Sequence, residues 1–116
     1  MTPRAYRILV AEDEYMLALH LQDGLTARGL ETVGPLATLE EVQALLDSGA
    51  PLDGAILDVN LGGERIFPVA TRLRALGVRC VFVSGYDRAL LPAGFDDVPH
   101  CVKPVDIEQV LAAMGL

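Results

Sequence analysis

Short runs of apolar and β-branched residues alternate along the chain with stretches in which apolar residues recur at helical spacing. The short runs predict five strands, at 6–11, 31–34, 54–58, 79–84 and 100–102. The stretches with helical spacing predict helices at 14–28, at 39–47, from 65–67 to 76, and at 106–114. Between the last two strands, Pro92, Gly94 and Asp96-Asp97 break any long helix.

Local signals mark several of the predicted helix ends. Thr38 followed by Glu41 three residues later predicts a capping box at the start of the second helix. Gly29 and Gly77 are placed to end the first and third helices, and Pro68 is tolerated in a first turn. Strands that alternate with helices predict a parallel sheet covered on both faces. We therefore expect a doubly wound α/β fold in one domain spanning 1–116.

Composition and charge exclude several classes of protein. Hydrophobic residues make up 52% of the chain, which indicates a globular protein. The net charge of -7 argues against binding to nucleic acid, which requires clustered Lys and Arg. No signal segment and no apolar run of about 20 residues is present, so we expect a cytoplasmic protein that does not bind membranes. Cys80 and Cys101 lie in apolar segments, which predicts buried, reduced thiols.

Polar residues end four of the predicted strands, and these ends are expected to converge. Parallel strands of an open sheet bind ligands outside their carboxyl ends, where the strand order reverses. The sequence therefore predicts one crevice that contains the strand-end residues Glu12, Asp13, Asp58, Ser84 and Lys103.

This set of side chains suits phosphoryl chemistry. Three adjacent carboxylates repel one another unless one is protonated or a divalent cation is bound, and oxygen ligands favour Mg²⁺, with Mn²⁺ as an alternative. An ionised carboxylate beside the cation can act as the nucleophile toward a phosphoryl group, while an ammonium and a hydroxyl neutralise and orient it. Each residue taken singly also has a simpler interpretation, as a turn residue, a first-turn acid or a solvated charge. Their coincidence at four strand ends favours the functional one.

Four segments in this order resemble the receiver domains of two-component response regulators: AEDE at 11–14, LDVNLGGE at 57–64, FVSGY at 82–86 and VKP at 102–104. The resemblance covers 6–116 and implies a flavodoxin-like sheet with the strand order 2-1-3-4-5. It is most similar to single-domain receivers with a Phe-Ala-Thr-Gly-Tyr-like fourth strand.

The resemblance also implies a role for each site residue. Asp58 would be the phosphoacceptor, and Ser84 and Lys103 would bond the phosphoryl oxygens. Magnesium would be held by Glu12, Asp13, Asp58 and the backbone carbonyl of Asn60. The bond between Lys103 and Pro104 would be a cis peptide, which is otherwise rare.

Three features depart from the usual receiver pattern. The segment between Ser84 and Lys103 is shorter than usual, so the receiver's fourth helix, between the fourth and fifth strands, is expected to be shortened. The loop after Asp58 carries Gly62-Gly63-Glu64 where a proline-containing turn is common. His100 stands where an aromatic switch residue is expected. It is interpreted either as a structural residue that caps the fifth strand or, together with Tyr86, as a candidate switch that moves with Ser84. His20 is interpreted as a solvated residue of the first helix.

The leading hypothesis is a receiver that takes a phosphoryl group from a sensor histidine kinase or a histidine phosphotransfer protein and then switches its binding to a downstream protein. It would have no enzymatic activity beyond its own phosphorylation and dephosphorylation. The first alternative is a receiver-like interaction module that phosphorylation does not regulate. The second is an aspartyl-nucleophile phosphohydrolase, which Asn60 argues against because an amide cannot act as a general acid.

Overall fold

A computed structural model describes residues 6–85 and 91–116 of the chain. In this part of the chain the main sheet contains five parallel strands: β1 (Arg7–Ala11), β2 (Glu31–Leu36), β3 (Gly54–Asp58), β6 (Arg79–Ser84) and β7 (His100–Val102). Their order is β2-β1-β3-β6-β7, with β2 and β7 at the edges of the sheet. Numbered as main-sheet strands alone, the order is 2-1-3-4-5, so the predicted fold class and strand order are confirmed.

Four helices of the described residues cover the sheet, two on each face. They are α1 (Tyr15–Ala27), α2 (Leu39–Asp47), α3 (Phe67–Ala75) and α4 (Ile107–Met114). One core cluster joins α2 and α3 to alternate residues of the strands, and the other joins α1 and α4 to the opposite face. Burial on both faces explains why the central strands are continuously apolar, as in β3, where all five residues are buried.

The helix boundaries follow local chemistry closely. Thr38 Oγ1 accepts the backbone N–H of Glu41 at 3.1 Å and donates to the Glu41 carboxylate at 3.0 Å, which confirms Thr38 as the N-cap. Asp106 caps α4 by accepting the N–H of Gln109 at 2.7 Å. The predicted helices were therefore one residue too long at one or both ends in α1, α3 and α4, because capping residues lie outside the helical hydrogen-bond pattern.

Strand β2 runs two residues further than predicted. Proline has no N–H to donate to a sheet ladder, so within sheets it is confined to edge strands, strand starts and bulges. In the structure β2 is an edge strand, and its register against β1 shifts between Leu9 and Ala11. The irregularity and the edge position accommodate Pro35, whose peptide bond with Gly34 is cis.

A two-stranded hairpin follows β3 that the sequence interpretation did not include. Its strands are β4 (Asn60–Leu61) and β5 (Glu64–Arg65), paired antiparallel. The two turn residues, Gly62 and Gly63, have φ values of 57° and 84°. Two consecutive positive φ angles suit a tight hairpin turn, and glycine adopts them without steric cost.

The described residues between β6 and β7, 91–99, form turns and bends without a helix. This agrees with a fourth receiver helix that is reduced, although 86–90, part of the same predicted element, lie outside the described residues. The Phe95 ring anchors the segment against Phe67 and Phe82, at centroid distances of 5.2 and 5.6 Å. The Arg74 guanidinium lies 5.4 Å from the Phe95 ring centroid and donates hydrogen bonds to the Gly94 carbonyl and the Asp97 carboxylate. Together these contacts fasten 94–97 to α3.

Both cysteines are free and buried, as predicted. Burial raises the pKa of Cys80 to about 11 and also raises the pKa of Cys101. The two thiols lie in separate core clusters on opposite faces of the sheet. Among the helices of the described residues, none combines the length and the apolar character needed to cross a membrane.

Candidate functional site

A cleft of about 410 Å³ lies at the end of the sheet where the parallel strands have their carboxyl ends. The segments after β1, β3, β6 and β7 all reach it, because these strands run in the same direction. Its lining consists of Asp13, Glu14, Asp58, Asn60, Ser84, Gly85 and Lys103. The structure thus brings together the side chains that the sequence placed at separate strand ends.

Three carboxylates meet in this cleft. Glu12, Asp13 and Asp58 each offer an oxygen atom, and these oxygens lie within 4.8 Å of one another. Glu12 and Asp58 are only 3% and 5% exposed, whereas Asp13 is exposed. Two buried carboxylates beside a third repel one another strongly, so the cluster requires a proton or a cation.

Backbone amides from three segments hold the three carboxylates. The N–H of Glu14 donates to Glu12 Oε2 at 3.1 Å, and that of Asn60 donates to Asp58 Oδ1 at 3.0 Å. The N–H of Gly62, in the hairpin turn, donates to Asp13 Oδ2 at 3.2 Å. The β4–β5 hairpin, which follows β3, therefore orients the Asp13 carboxylate, which lies just after β1.

Lys103 brings a positive charge to the cluster. Its Nζ lies 3.2 Å from Asp58 Oδ2, 3.4 Å from Glu12 Oε2 and 3.5 Å from Glu14 Oε2. Partial burial acts to lower the pKa of Lys103, but attraction to Asp58 and Glu12 outweighs it and the pKa is raised. The ammonium is therefore fully charged at neutral pH. Sequence reasoning missed the part played by Glu14, although it belongs to the same AEDE segment.

The surroundings of the Glu12 carboxyl favour a bound cation. Burial raises its pKa from 4.5 to about 8, and the neighbouring Asp58 carboxyl adds to the effect. Glu12 Oε1 is buried and finds no hydrogen-bond partner in the described part of the chain. A hard divalent cation would satisfy such an oxygen and relieve the repulsion, and an all-oxygen donor set fits Mg²⁺. The residues present therefore fit the cation that the sequence predicted.

Ser84 and His100 are in direct contact. Ser84 Oγ lies 2.6 Å from Nε2 of His100, and Ser84 is only 2% exposed. In the β6–β7 ladder, Ser84 pairs with Val102 and Phe82 pairs with His100, so Ser84 and His100 are diagonal neighbours on one face. The sequence predicts that Ser84 lies in the cleft, but its contact with His100 depends on the strand register and was not predicted.

The remaining predicted features are a cis peptide bond, a backbone metal ligand, a second switch candidate and a solvated histidine. The peptide bond between Lys103 and Pro104 is cis. Asn60 lines the cleft, and its backbone carbonyl as a metal ligand stays a prediction. Tyr86, the other candidate switch, lies outside the described residues. His20 is exposed on α1, in agreement with its interpretation as a solvated residue.

Solved structures of other proteins share this fold over nearly the whole chain. The solution structure of SdrG from Sphingomonas melonis Fr1 is 34% identical, with a TM-score of 0.82, and the match covers 99% of this chain and 100% of SdrG. A BeF3-activated conformation of SdrG, from Pseudomonas melonis Fr1, is 35% identical, with a TM-score of 0.78 and coverage of 98% and 100%. A response regulator receiver protein from Sinorhizobium medicae WSM419 is 26% identical, with a TM-score of 0.86 and coverage of 97% and 93%. No protein-family model matches the chain, and no curated protein does.

The fold, the acidic cleft and these similarities define a class of signalling protein rather than a classical enzyme. The chain belongs to the response regulator receiver domains of two-component signalling. Within that class it is similar to SdrG over the full length of both chains.

Proposed function

We propose that this receiver accepts a phosphoryl group on Asp58 in a magnesium-dependent reaction and thereby switches its binding to a partner protein. One observation carries the proposal. One carboxylate oxygen from each of Glu12, Asp13 and Asp58 lies within 4.8 Å of the other two, and the Lys103 ammonium is 3.2 Å from Asp58 Oδ2. The arrangement supports Asp58 as the nucleophile, with a cation on one side of it and the Lys103 ammonium on the other.

The chain's own groups account for most of the proposed reaction. An Asp58 carboxylate oxygen attacks phosphorus, and the bond from phosphorus to the donor's histidine nitrogen breaks, so the nitrogen leaves with its electron pair. Asp58 Oδ1 is held by the Asn60 N–H, which orients the carboxylate before the attack. Lys103 then pairs with a phosphoryl oxygen, and the Ser84 hydroxyl donates to another.

Magnesium would be held by Glu12, Asp13, Asp58 and the Asn60 carbonyl. When bound, the ion offsets the negative charge that gathers on the phosphoryl oxygens. Mn²⁺ has the same preference for oxygen ligands and would substitute for it.

The comparisons support this proposal without supplying its details. A BeF3-activated conformation of SdrG has been solved, and beryllofluoride takes the place of a phosphoryl group on a carboxylate. The chemistry of a phosphohistidine donor points to a sensor histidine kinase or a histidine phosphotransfer protein as the upstream partner. The downstream partner would be a protein that distinguishes the two states of the cleft.

Intact-mass measurement after incubation with phosphoramidate and Mg²⁺ tests the proposal. We expect a mass increase of one phosphoryl group in the wild type, no increase in Asp58→Asn, and no increase when EDTA removes the metal. Asp23→Asn changes an exposed aspartate of α1 and serves as the matched control, which is expected to behave as the wild type. An unchanged wild-type mass would favour the interaction module that phosphorylation does not regulate. A mass increase that persists in Asp58→Asn would place the acceptor elsewhere.

A further inference from the structure

Glu14 places a fourth carboxylate at the exposed rim of the cleft. Its side chain is 61% exposed, and its Oε2 lies 3.5 Å from Lys103 Nζ. It lines the cleft but does not belong to the group formed by Glu12, Asp13 and Asp58, whose oxygens lie within 4.8 Å of one another. A divalent cation held by those three carboxylates would therefore leave Glu14 without a metal bond.

The sign of the charge in the occupied cleft depends on Glu14. The three carboxylates of the cation site carry three negative charges, and a divalent cation together with the Lys103 ammonium carries three positive ones. Among the described residues that line the cleft, Lys103 is the only cation, so the charge of Glu14 is left over. The occupied cleft would then be negative, and it would repel an incoming phosphodonor, which is itself an anion.

Glu14 also competes for the Lys103 ammonium. Asp58, Glu12 and Glu14 lie 3.2, 3.4 and 3.5 Å from Lys103 Nζ. A cation bound to Asp58 and Glu12 weakens their attraction for the ammonium, whereas Glu14 keeps its own. A phosphoryl oxygen that pairs with Lys103 must therefore displace Glu14.

We propose that Glu14 is a specificity-determining residue that slows phosphoryl transfer from small donors in proportion to their negative charge. The inference rests on the proposed function and explains how the cleft favours a phosphoryl group carried by a protein. A small anion has only its contacts inside the cleft to offset the repulsion from Glu14. A protein donor also forms contacts outside the cleft, and the free energy of those contacts holds its phosphoryl group at Asp58.

Phosphorylation rates with two small donors test the inference. At pH 7 acetyl phosphate is a dianion and phosphoramidate is largely a monoanion, and both transfer the same phosphoryl group to Asp58, leaving acetate or ammonia. Initial rates are measured by intact mass at saturating Mg²⁺ and low ionic strength, so that a change in metal affinity does not enter. We expect Glu14→Gln to increase the rate about tenfold with acetyl phosphate and about threefold with phosphoramidate, as for one charge at roughly 6 Å in a medium close to water. In 1 M salt, where the screening length is about 3 Å, this difference between the donors should disappear.

Two control variants separate the charge of Glu14 from its other properties. Glu14→Asp keeps the charge on a shorter side chain and should keep the wild-type ratio of the two rates. Asp23→Asn removes an equal charge from an exposed position in the second half of α1 and should leave both rates unchanged.

The ratio of the two rates decides the outcome. An equal increase with both donors in Glu14→Gln, no increase, or a difference between the donors that persists in 1 M salt would overturn the inference. A wild-type chain that gains no phosphoryl group from either donor would instead contradict the proposed function itself.

Discussion

Glu12 shows how one residue ties the stability of the receiver to its chemistry. Its carboxyl is 3% exposed, its Oε1 lacks a hydrogen-bond partner among the described residues, and burial raises its pKa to about 8. An apolar residue here would stabilise the fold more, because burying a charge costs free energy unless it is paired. The buried carboxyl therefore lowers the stability of the fold by an amount that a bound cation would offset.

This cost predicts a specific dependence of stability on pH in the absence of divalent cations. Between pH 4.5 and about 8 the folded state keeps a proton on Glu12 that the unfolded state releases, so this residue's contribution to the free energy of unfolding falls as pH rises. Glu12→Gln lacks this contribution. We expect the variant to gain roughly 2–4 kcal/mol relative to the wild type between pH 5 and pH 8.5, measured by urea unfolding in EDTA.

The exposed Glu64→Gln is the control for this comparison and should show no such trend. Saturating Mg²⁺ should stabilise the wild type and have little effect on Glu12→Gln, since a ligand that binds only the folded state adds to its stability. A difference between Glu12→Gln and wild type that is constant across the pH range would contradict the assignment of Glu12 as the source.

At the scale of elements, α1 and α4 pack against each other on one face of the sheet. Helix α1 follows Glu12 and Asp13, and α4 follows Lys103. The two helices approach closely at Gly24, where an added Cβ would lie 2.8 Å from Ile107 Cβ and Cγ1. A residue with a side chain at position 24 would therefore force the helices apart.

In Gly24→Ala, helix propensity and packing have opposite effects on the free energy of unfolding. Alanine favours an exposed helix by about 1 kcal/mol over glycine, whereas overpacking a core contact costs about 1–3 kcal/mol. The clash involves atoms near the Ile107 backbone that cannot move aside, so we expect a net loss of about 1–2 kcal/mol in urea unfolding. Thr26→Ala, at an exposed position of α1, should be neutral or slightly stabilising. A more stable Gly24→Ala would show that the helices can separate freely.

How far the sequence predicts each element depends on whether local or long-range interactions decide it. Thr38 was correctly predicted as an N-cap and Asp58 as the last residue of a strand, because a cap and an apolar strand are encoded by neighbours along the chain. The β4–β5 hairpin was missed although Gly62-Gly63 is a turn signal, because two-residue strands carry no periodicity. The Ser84–His100 contact joins residues 16 positions apart in the chain. It depends on the register of β6 against β7, which no local pattern specifies. Convergence at the cleft was predictable because it follows from parallel strands alone.

At the scale of the whole molecule, Lys103 links the cleft to the edge of the sheet. Its side chain reaches Asp58 and Glu12, and its backbone N–H bonds the Ser84 carbonyl at the end of β6. The backbone contact does not depend on the side chain, so the fold should survive truncation of Lys103. The side chain is the only described cation within 4.0 Å of Asp58, and we expect it to couple the state of Asp58 to β7 and α4.

Lys103→Ala should therefore fold and bind Mg²⁺ but lose this coupling. We expect its affinity for beryllofluoride to fall about tenfold or more, as for the loss of a charge-assisted hydrogen bond. At saturating beryllofluoride, backbone amide NMR shifts should extend to β7 and α4 in the wild type and stay around Asp58 in the variant. Arg28→Ala, which removes an exposed ion pair with Glu108, is the control. Equally extensive shifts in Lys103→Ala would refute the coupling.

The clamp formed by Arg74 on Phe95 and Gly94 has a consequence for related chains. Arg74 belongs to α3 and lies outside the cleft lining, yet it secures the backbone only a few residues before His100. The position of residues 94–97, which lead into β7, therefore depends on a side chain of α3. If another residue replaces Arg74 in a related chain, we expect compensating substitutions within 94–100. Position 74 and this segment should therefore covary among relatives that retain a histidine beside the serine.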